Sequence, residues 1–186
     1  MNNSKPLISV IMSAYNSEKS IGKAVESILN QDYRNFEFLV LDDYSSDNTH
    51  EIIQEYAKGD NRLKIYKNEK NIGLTKSLNI LIKNSKGDYI ARQDADDVSL
   101  NHRLDIQIKR IMNKNLDFVI SRAIVKDTNK TIPRLSYFFP NKLTIKYKNP
   151  FIHGTLLIKT DVIKSLGFYD ENFFYSQDYK LFSDLM

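Results

Sequence analysis

The chain contains no cysteine among its 186 residues. This absence excludes a disulfide framework and metal sites built from thiolates, and it agrees with a reducing compartment. Long hydrophobic runs are also absent. The first run, Leu7 to Met12, is too short for the core of a signal peptide, and no stretch approaches the length of a membrane span. We therefore expect a soluble protein located in the cytoplasm.

Glycine is sparse, with six residues in the chain. No glycine-rich turn follows the first predicted strand, where the sequence Ala-Tyr-Asn-Ser occupies positions 14–17. Nucleotidyltransferases and dinucleotide-dependent dehydrogenases bind phosphate through such a turn near the start of the chain. Its absence argues against both classes.

The excess of one sign of charge is small, with a net charge of +4 and lysines scattered among many carboxylates. A nucleic-acid-binding domain concentrates its basic residues on one face, so no nucleic-acid partner is predicted. Lysines are interspersed with Leu143, Ile145 and Tyr147 in the segment 142–148, which is where an anionic membrane surface would bind. An ordinary solvated face is the alternative interpretation. Peripheral association with the inner face of a membrane therefore stays open.

Hydrophobic residues make up 41% of the chain and charged residues 27%, as in an ordinary globular domain, so one domain spanning residues 1–186 is predicted. Short apolar runs predict strands at 7–13, 36–41, 63–66, 88–92 and 118–125. Apolar residues spaced three and four apart predict amphipathic helices between them, at 21–29, 52–56, 74–82 and 104–112. This alternation predicts an α/β fold, a mostly parallel sheet with helices on both faces.

The regular pattern weakens beyond residue 126, where an irregular insertion is expected. A further strand is predicted at 153–159, followed by a short helix with Thr160 as its N-cap and Gly167 just after its end. A final helix is predicted from Gln177. The sequence ends inside it with no capping signal, so we expect the domain to be truncated there.

Three polar loops follow predicted strands, at residues 13–17, 42–49 and 93–98. Ligands of open α/β sheets bind beyond the carboxyl ends of the strands. We therefore expect these loops to converge on one edge of the sheet and to form the binding site.

The third loop is strongly acidic, because Asp94, Asp96 and Asp97 fall within four residues. In extended backbone Asp94 and Asp96 project to the same side, and two close carboxylates repel each other unless a cation or a proton lies between them. Carboxylate oxygens suit Mg²⁺ or Mn²⁺, and Mg²⁺ binds through one or two carboxylates together with substrate phosphates. The motif alone supports a metal–diphosphate site and an exposed loop that caps the helix near Asn101 about equally.

The second loop carries acidic residues with different tasks. Asp47 and Thr49 match the capping of the following helix. Asp42 and Asp43 have no helix to cap in this interpretation, so they are candidates for binding a nucleotide base or ribose. In the first loop Tyr15 is placed to stack on a base, with ordinary packing as the alternative.

The chain resembles family two glycosyltransferases of the GT-A fold through motifs that occur in the family's order and spacing: SVIMSAYN, NFEFLVLDDYSSDNT, NIGLTKSLN, GDYIARQDADD and SQDYKLF. The resemblance implies a Rossmann-like GT-A sheet, with residues 1–100 as the nucleotide-binding half and 101–186 as the acceptor-side half. It also implies that Ser13 and Tyr15 lie along the nucleotide base and that Asp43 binds the imide of uracil or its equivalent.

The same resemblance implies an inverting transfer of a sugar from a nucleotide diphosphate sugar, commonly a UDP-sugar, to a hydroxyl of a glycan or lipid-linked acceptor. Such enzymes commonly build surface polysaccharides or other glycans. Asp94 and Asp96 are then the residues that hold Mn²⁺ or Mg²⁺ against the diphosphate. Asp178 is the catalytic base, because inversion requires deprotonation of the attacking hydroxyl while metal neutralises the leaving nucleoside diphosphate.

The sequence departs from the family pattern near its end and in the second loop. Gln177 stands where members usually carry Glu before the catalytic Asp178, and Tyr44 stands where Gly is common. His153 matches a family position near the acceptor, and we place Gln177 on the same side. Only eight residues follow Asp178. This keeps a second interpretation open, a catalytically idle nucleotide-sugar-binding fragment that serves as a partner domain.

Overall fold

The computed structural model describes residues 5–134, 141–147, 149–173 and 175–186, apart from the side chains of 141 and 142. Its strands are β1 (Ile8–Ala14), β2 (Phe36–Asp42), β3 (Leu63–Lys67), β4 (Tyr89–Arg92), β5 (Phe118–Val119), β6 (Ala123–Val125), β7 (Lys130–Ile132) and β8 (Leu157–Lys159). Its α-helices are α1 (Ile21–Leu29), α2 (Thr49–Gly59), α3 (Leu74–Asn84), α4 (Arg103–Lys114), α5 (Asn141–Thr144), α6 (Thr160–Ser165) and α7 (Gln177–Asp184). A 3₁₀ turn spans His153–Thr155.

The central sheet has the strand order β3-β2-β1-β4-β8-β5. The first four of these strands run parallel, whereas β8 pairs antiparallel with both β4 and β5. The predicted α/β fold with a mostly parallel sheet is therefore confirmed.

Helices cover both faces of the sheet, which explains why the strands are apolar along their whole length. Successive residues of a strand point to opposite faces. Val10 and Met12 of β1 accordingly join one core, which α1, α2 and α4 cover. Ile11 joins the other core, which α3, α6 and α7 cover.

The strand predicted at 118–125 is wrong in its extent. β5 ends at Val119, and β6 leaves the central sheet to form a separate hairpin with β7. The interruption lies at Ser121, whose backbone N–H and carbonyl both bond to the hydroxyl of Thr155, at 3.1 and 2.9 Å, instead of to a neighbouring strand. The hairpin also gives regular structure to part of the insertion expected to be irregular beyond residue 126.

The strand predicted at 153–159 begins too early. Its first residues form the 3₁₀ turn, which the Thr155 backbone N–H closes by donating to the Ile152 carbonyl at 3.0 Å, and β8 starts only at Leu157. Thr160 is the first residue of α6 rather than its N-cap, which is Lys159. The Thr160 hydroxyl donates to the carbonyl of Gly87 at 2.7 Å. Gly167 follows α6 with a positive φ of 79°, as predicted for the end of that helix.

The carboxyl ends of β1, β2 and β4 lie at one edge of the sheet, since these strands are parallel. The loops predicted to carry the site follow these ends, at 13–17, 42–49 and 93–98. Over the described part of the chain, no helix is long and apolar enough to cross a membrane.

Candidate active site

A cavity of about 600 Å³ opens at this edge of the sheet, where the first and third loops face each other. It brings together four residues singled out from the sequence, namely Ser13, Tyr15, Asp94 and Asp96. The complete lining consists of Ser13, Tyr15, Asn16, Ser17, Glu18, Lys19, Ser20, Asp47, Leu74, Arg92, Asp94, Ala95 and Asp96. The other candidate residues, Asp43, His153, Gln177 and Asp178, lie outside this lining.

The first loop is held against the second by backbone hydrogen bonds. The N–H of Ser17 donates to the Thr49 hydroxyl at 2.7 Å, and the N–H of Glu18 donates to the Asp47 carboxylate at 3.0 Å. Asp47 also accepts the N–H of Thr49, the first residue of α2, at 3.0 Å, although Asn48 and not Asp47 is the N-cap residue of that helix. Tyr15 remains 52% exposed beside this rigid loop pair, so its ring is free to contact a ligand.

Tyr44 has a φ of 66°, a left-handed backbone conformation that strains a bulky residue. Glycine adopts this conformation without cost, which explains why glycine suits this position. Asp42, two residues earlier, accepts the N–H of Ser45 at 3.0 Å and thereby fixes the turn that contains Tyr44.

Asp43 is almost fully buried, with 2% exposure. Its carboxylate accepts the backbone N–H groups of Ile72 at 3.0 Å and Gly73 at 2.8 Å, and the Asn68 side-chain amide at 2.7 Å. Gly73 directly precedes Leu74, the first residue of α3. Asp43 therefore fixes the turn that leads into α3, although the two backbone N–H groups that it accepts precede the first residue of that helix.

The acidic run forms a region of concentrated negative charge at the end of β4. Partial burial and the charges of Asp94 and Asp96 raise the pKa of Asp97. Gly154 of the 3₁₀ turn packs against the same carboxylates, since a Cβ there would lie 2.3 Å from Asp94 Oδ2 and 3.1 Å from Asp97 Oδ2. Glycine at position 154 thus leaves room for the Asp94 carboxylate, which a larger residue at this position would displace.

Among the described residues, no group of three or more His, Asp or Glu side chains forms a complete metal cage. A hard cation such as Mg²⁺ can bind through one or two carboxylates, with substrate phosphates and water as its other ligands. Asp94 and Asp96 have the oxygen chemistry for such a site.

The third loop is held in shape by Gln93 and Arg103, two residues that the sequence pattern did not single out. The Gln93 side-chain amide donates to the carbonyls of Asp94 and Asp97, at 3.1 and 2.9 Å. Arg103 donates to Gln93 Oε1 at 2.9 Å and to the Arg92 carbonyl at 2.6 Å. Burial, followed by the charge of Arg92, lowers the pKa of Arg103 to about 10. The sequence does place a basic residue and an amide residue directly before the acidic run, at positions 92 and 93. This pattern could have indicated that polar side chains support the third loop.

Asp178 and Gln177 lie in the first turn of α7. Asp178 Oδ2 accepts a hydrogen bond of 2.6 Å from the side-chain amide of Asn149. A carboxylate in the first turn of a helix is also stabilised by the helix dipole. Asp178 is therefore held in place at the start of α7 by the Asn149 amide.

Tyr169 interacts with the acidic run that contains Asp94 and with two candidate residues outside the cavity lining, His153 and Asp178. Its hydroxyl lies 2.7 Å from His153 Nε2, and its side chain is 2% exposed. Burial raises the pKa of Tyr169, the charge of Arg92 opposes this rise, and the charges of Asp94 and Asp178 add to it. Asp94 and Asp178 therefore act electrostatically on the same side chain. Nothing in the sequence pattern pointed to Tyr169.

His153 is held as a neutral imidazole in this cluster. Burial, followed by the charge of Arg92, lowers the pKa of His153 well below its ordinary value. The rings of Tyr169 and Phe182 meet His153 edge-on, with centroids 5.4 and 6.4 Å away. The structure thus gives His153 a packing role and leaves its predicted acceptor role as a proposal.

Residues 9–180 match the family model for Glycosyl transferase family 2. An uncharacterized glycosyltransferase of Methanocaldococcus jannaschii is 37% identical over 185 positions, covering 94% of this chain and 63% of that protein. The O-antigen biosynthesis glycosyltransferase WbnJ of Escherichia coli is 36% identical over 183 positions, covering 94% of this chain and 70% of that protein.

Among solved structures, TarS 1-349 of S. aureus in complex with UDP-GlcNAc matches with a TM-score of 0.78 and 26% identity, over 92% of this chain and 51% of that one. The chain spans 63%, 61% and 60% of the lengths of three of its curated relatives. The family match covers nearly the whole chain, and the mostly parallel sheet flanked by helices agrees with the structural match. The chain therefore belongs to glycosyl transferase family 2 and has the GT-A fold.

Proposed function

We propose that the protein transfers a sugar from a nucleotide diphosphate sugar, most commonly a UDP-sugar, to a hydroxyl of a glycan or lipid-linked acceptor, with inversion. The observation that carries this proposal is the cavity in which Tyr15 faces outward beside Asp94 and Asp96. It combines an exposed aromatic ring for a base with oxygen ligands for a metal–diphosphate group.

In the proposed donor complex, the nucleotide base lies along Ser13 and stacks on Tyr15. Asp43 contacts the imide of the base through Oδ2, which accepts one internal hydrogen bond, from Gly73. A carboxylate oxygen can accept a second one. TarS, a protein of the same fold, forms a complex with UDP-GlcNAc, which supports a uridine nucleotide as the donor carrier.

Asp94 and Asp96 are proposed to hold Mn²⁺ or Mg²⁺. When bound, the metal neutralises the negative charge that develops on the leaving nucleoside diphosphate. The protein supplies the carboxylates and their orientation. Lys19 adds positive charge to the same cavity wall, so donor phosphates meet both a metal site and a lysine there.

In the proposed reaction, the acceptor hydroxyl oxygen bonds to the anomeric carbon as the bond from that carbon to the diphosphate oxygen breaks. Asp178 takes the hydroxyl proton. Asn149 holds Oδ2 of Asp178 at 2.6 Å, and we assign the proton to Oδ1. His153 and Gln177 border the acceptor side in this proposal. Residues 1–100 then form the donor half of the domain and residues 101–186 the acceptor half.

WbnJ functions in O-antigen biosynthesis by its name, which supports a role for this chain in surface-polysaccharide or glycan assembly. The acceptor in such assembly is a growing glycan, which a lipid can carry. We place the protein in the cytoplasm, with peripheral association at the inner face of the membrane as the route to a lipid-linked acceptor. Leu143 and Tyr147 are 57% and 88% exposed in the segment proposed for this contact.

The proposed function is tested first by calorimetric titration of UDP with and without Mn²⁺, then by turnover of a panel of UDP-sugars with glycan acceptors. Asp96→Ala should abolish the Mn²⁺-dependent gain in UDP affinity, and Asp127→Ala, which changes an exposed turn residue of the hairpin, should preserve it. Absence of UDP binding to the wild-type chain would overturn the proposal. Binding without turnover would support the alternative, an idle nucleotide-sugar-binding domain.

A further inference from the structure

Arg92 is a cation enclosed in the protein interior at the end of β4. It is 1% exposed, and its strand lies between β1 and β8. Its backbone is fixed by the N–H bond to the Leu156 carbonyl at 2.8 Å. A buried guanidinium is costly unless it is paired and hydrogen-bonded, so its partners indicate what it stabilises.

The hydrogen bonds that the Arg92 guanidinium donates both go to the third loop. One terminal nitrogen, Nη2, donates to Oδ1 of Asp94, and the other, Nη1, donates to the carbonyl of Gln93. Within the described part of the chain, Nε has no hydrogen-bond partner. Arg92 also lines the cavity at the edge of the sheet, which is the proposed donor site and is called the donor cavity below. The strongest interaction of this buried charge is therefore with the first carboxylate of the acidic run.

The Arg92 contact leaves the two oxygens of Asp94 in different surroundings. Oδ1 is paired with the guanidinium, whereas Oδ2 packs against Gly154, close to the carboxylate of Asp97. The Asp94 side chain keeps 32% of its surface exposed. Because Arg92 is held by its strand and Gly154 by the 3₁₀ turn, the rotation of the Asp94 carboxylate is restricted from both sides.

We propose that Arg92 is a positioning residue of the donor site, which clamps Oδ1 of Asp94 and thereby presents Oδ2 to the divalent cation. This inference rests on the proposed function, since it assumes that Asp94 is a metal ligand. Residues that orient a metal ligand from behind typically change metal affinity by about 10- to 100-fold when they are replaced. If Arg92 only repelled the cation, replacing it would strengthen metal binding, whereas loss of positioning weakens it. The direction of the change in metal affinity therefore distinguishes repulsion from positioning.

The test measures Mn²⁺ affinity in the presence of saturating UDP, by the electron paramagnetic resonance signal of free Mn²⁺, and UDP affinity without metal, by calorimetry. Arg92→Gln should weaken Mn²⁺ binding by about 10- to 100-fold. UDP affinity without metal should stay within about threefold, because Arg92 acts through Asp94. Arg92→Lys keeps the positive charge but cannot donate to Asp94 and to the Gln93 carbonyl from two fixed nitrogens, so it should show an intermediate loss of Mn²⁺ affinity.

A double-mutant cycle tests whether Arg92 acts through Asp94. In an Asp94→Asn background, Arg92→Gln should cause no further loss of Mn²⁺ affinity. The matched control is Arg62→Gln, since Arg62 also pairs with a carboxylate, Asp60 at 2.6 Å, but does not line the cavity. This control should leave Mn²⁺ affinity unchanged.

Unchanged or tighter Mn²⁺ binding in folded Arg92→Gln would overturn the inference, as would an equal loss of UDP affinity with and without metal. If Arg92→Gln does not fold, Arg92→Lys decides, and wild-type Mn²⁺ affinity in that variant would count against positioning. Failure of the wild-type chain to bind UDP at all is a different result, because it would reject the proposed function itself.

Discussion

The carboxylate of Asp43 accepts a hydrogen bond of 2.8 Å from the backbone N–H of Gly73. This contact ties the end of β2 to the start of α3, and Leu74, the next residue, lines the donor cavity. A buried carboxylate at this position therefore helps to fix the part of the cavity wall that Leu74 forms.

Asp43→Asn should lower the free energy of unfolding by about 1–3 kcal/mol, because an amide nitrogen would face one of the backbone N–H groups that the carboxylate now accepts. Urea unfolding, with Asp127→Asn as a control at an exposed turn residue, measures the change. Equal stability of the Asp43 variant and the wild type would contradict a role of Asp43 in holding the turn before α3.

Tyr15→Ala should weaken UDP binding by about 1–3 kcal/mol, the usual loss when a base loses an aromatic partner. Tyr15→Phe should retain most of the affinity, because stacking needs the ring and not the hydroxyl. Calorimetry of UDP in Mn²⁺ buffer measures both. Tyr147→Ala is the matched control, since Tyr147 is 88% exposed and lies outside the cavity lining. Equal losses for Tyr15→Ala and Tyr147→Ala would argue against stacking.

The central fold could be predicted because its signals are local. Apolar runs such as those of β1 and β2 and the helical spacing of α1 require no knowledge of distant contacts. The predicted strand bounds are wrong where a side chain from a distant part of the sequence interrupts a strand. Thr155 bonds to the backbone of Ser121, 34 residues away, and thereby ends the strand predicted at 118–125. Pattern reasoning cannot detect such a contact.

The candidate site could be predicted in part for the same reason. Parallel strands bring their carboxyl ends together, so the convergence of Ser13 and Asp94 on one cavity follows from topology. The environment of each side chain does not follow. The bond of Asp43 to Gly73 and the contact of Tyr169 with His153 join residues 30 and 16 positions apart, and only the folded chain reveals them.

Asp178→Asn should lower kcat by about 10²- to 10⁴-fold, the usual contribution of a general base, while UDP affinity stays unchanged. Asn149→Ala should cause a smaller loss, because it removes only the hydrogen bond that holds Oδ2. Single-turnover rates and calorimetry separate the two effects. A full rate in Asp178→Asn would require another residue as the base.

His153 should make the protein less stable in acid. Its folded-state pKa lies well below the ordinary value of 6.5. As the pH falls below about 6.5, the unfolded chain therefore takes up a proton that the folded chain does not. The stability from the neutral imidazole is complete above that pH and is lost as the pH falls toward the folded-state pKa, at up to about 1.4 kcal/mol per pH unit.

His153→Gln, which cannot be protonated, isolates this effect when urea unfolding is compared with the wild type between about pH 5 and pH 7.5. The variant should lose less stability on acidification, because it has no imidazole to bind the proton in the unfolded state. His102→Gln changes an exposed histidine and is the matched control for the loss of an imidazole. A constant difference between His153→Gln and the wild type across this range would mean that His153 titrates alike in the folded and unfolded chains.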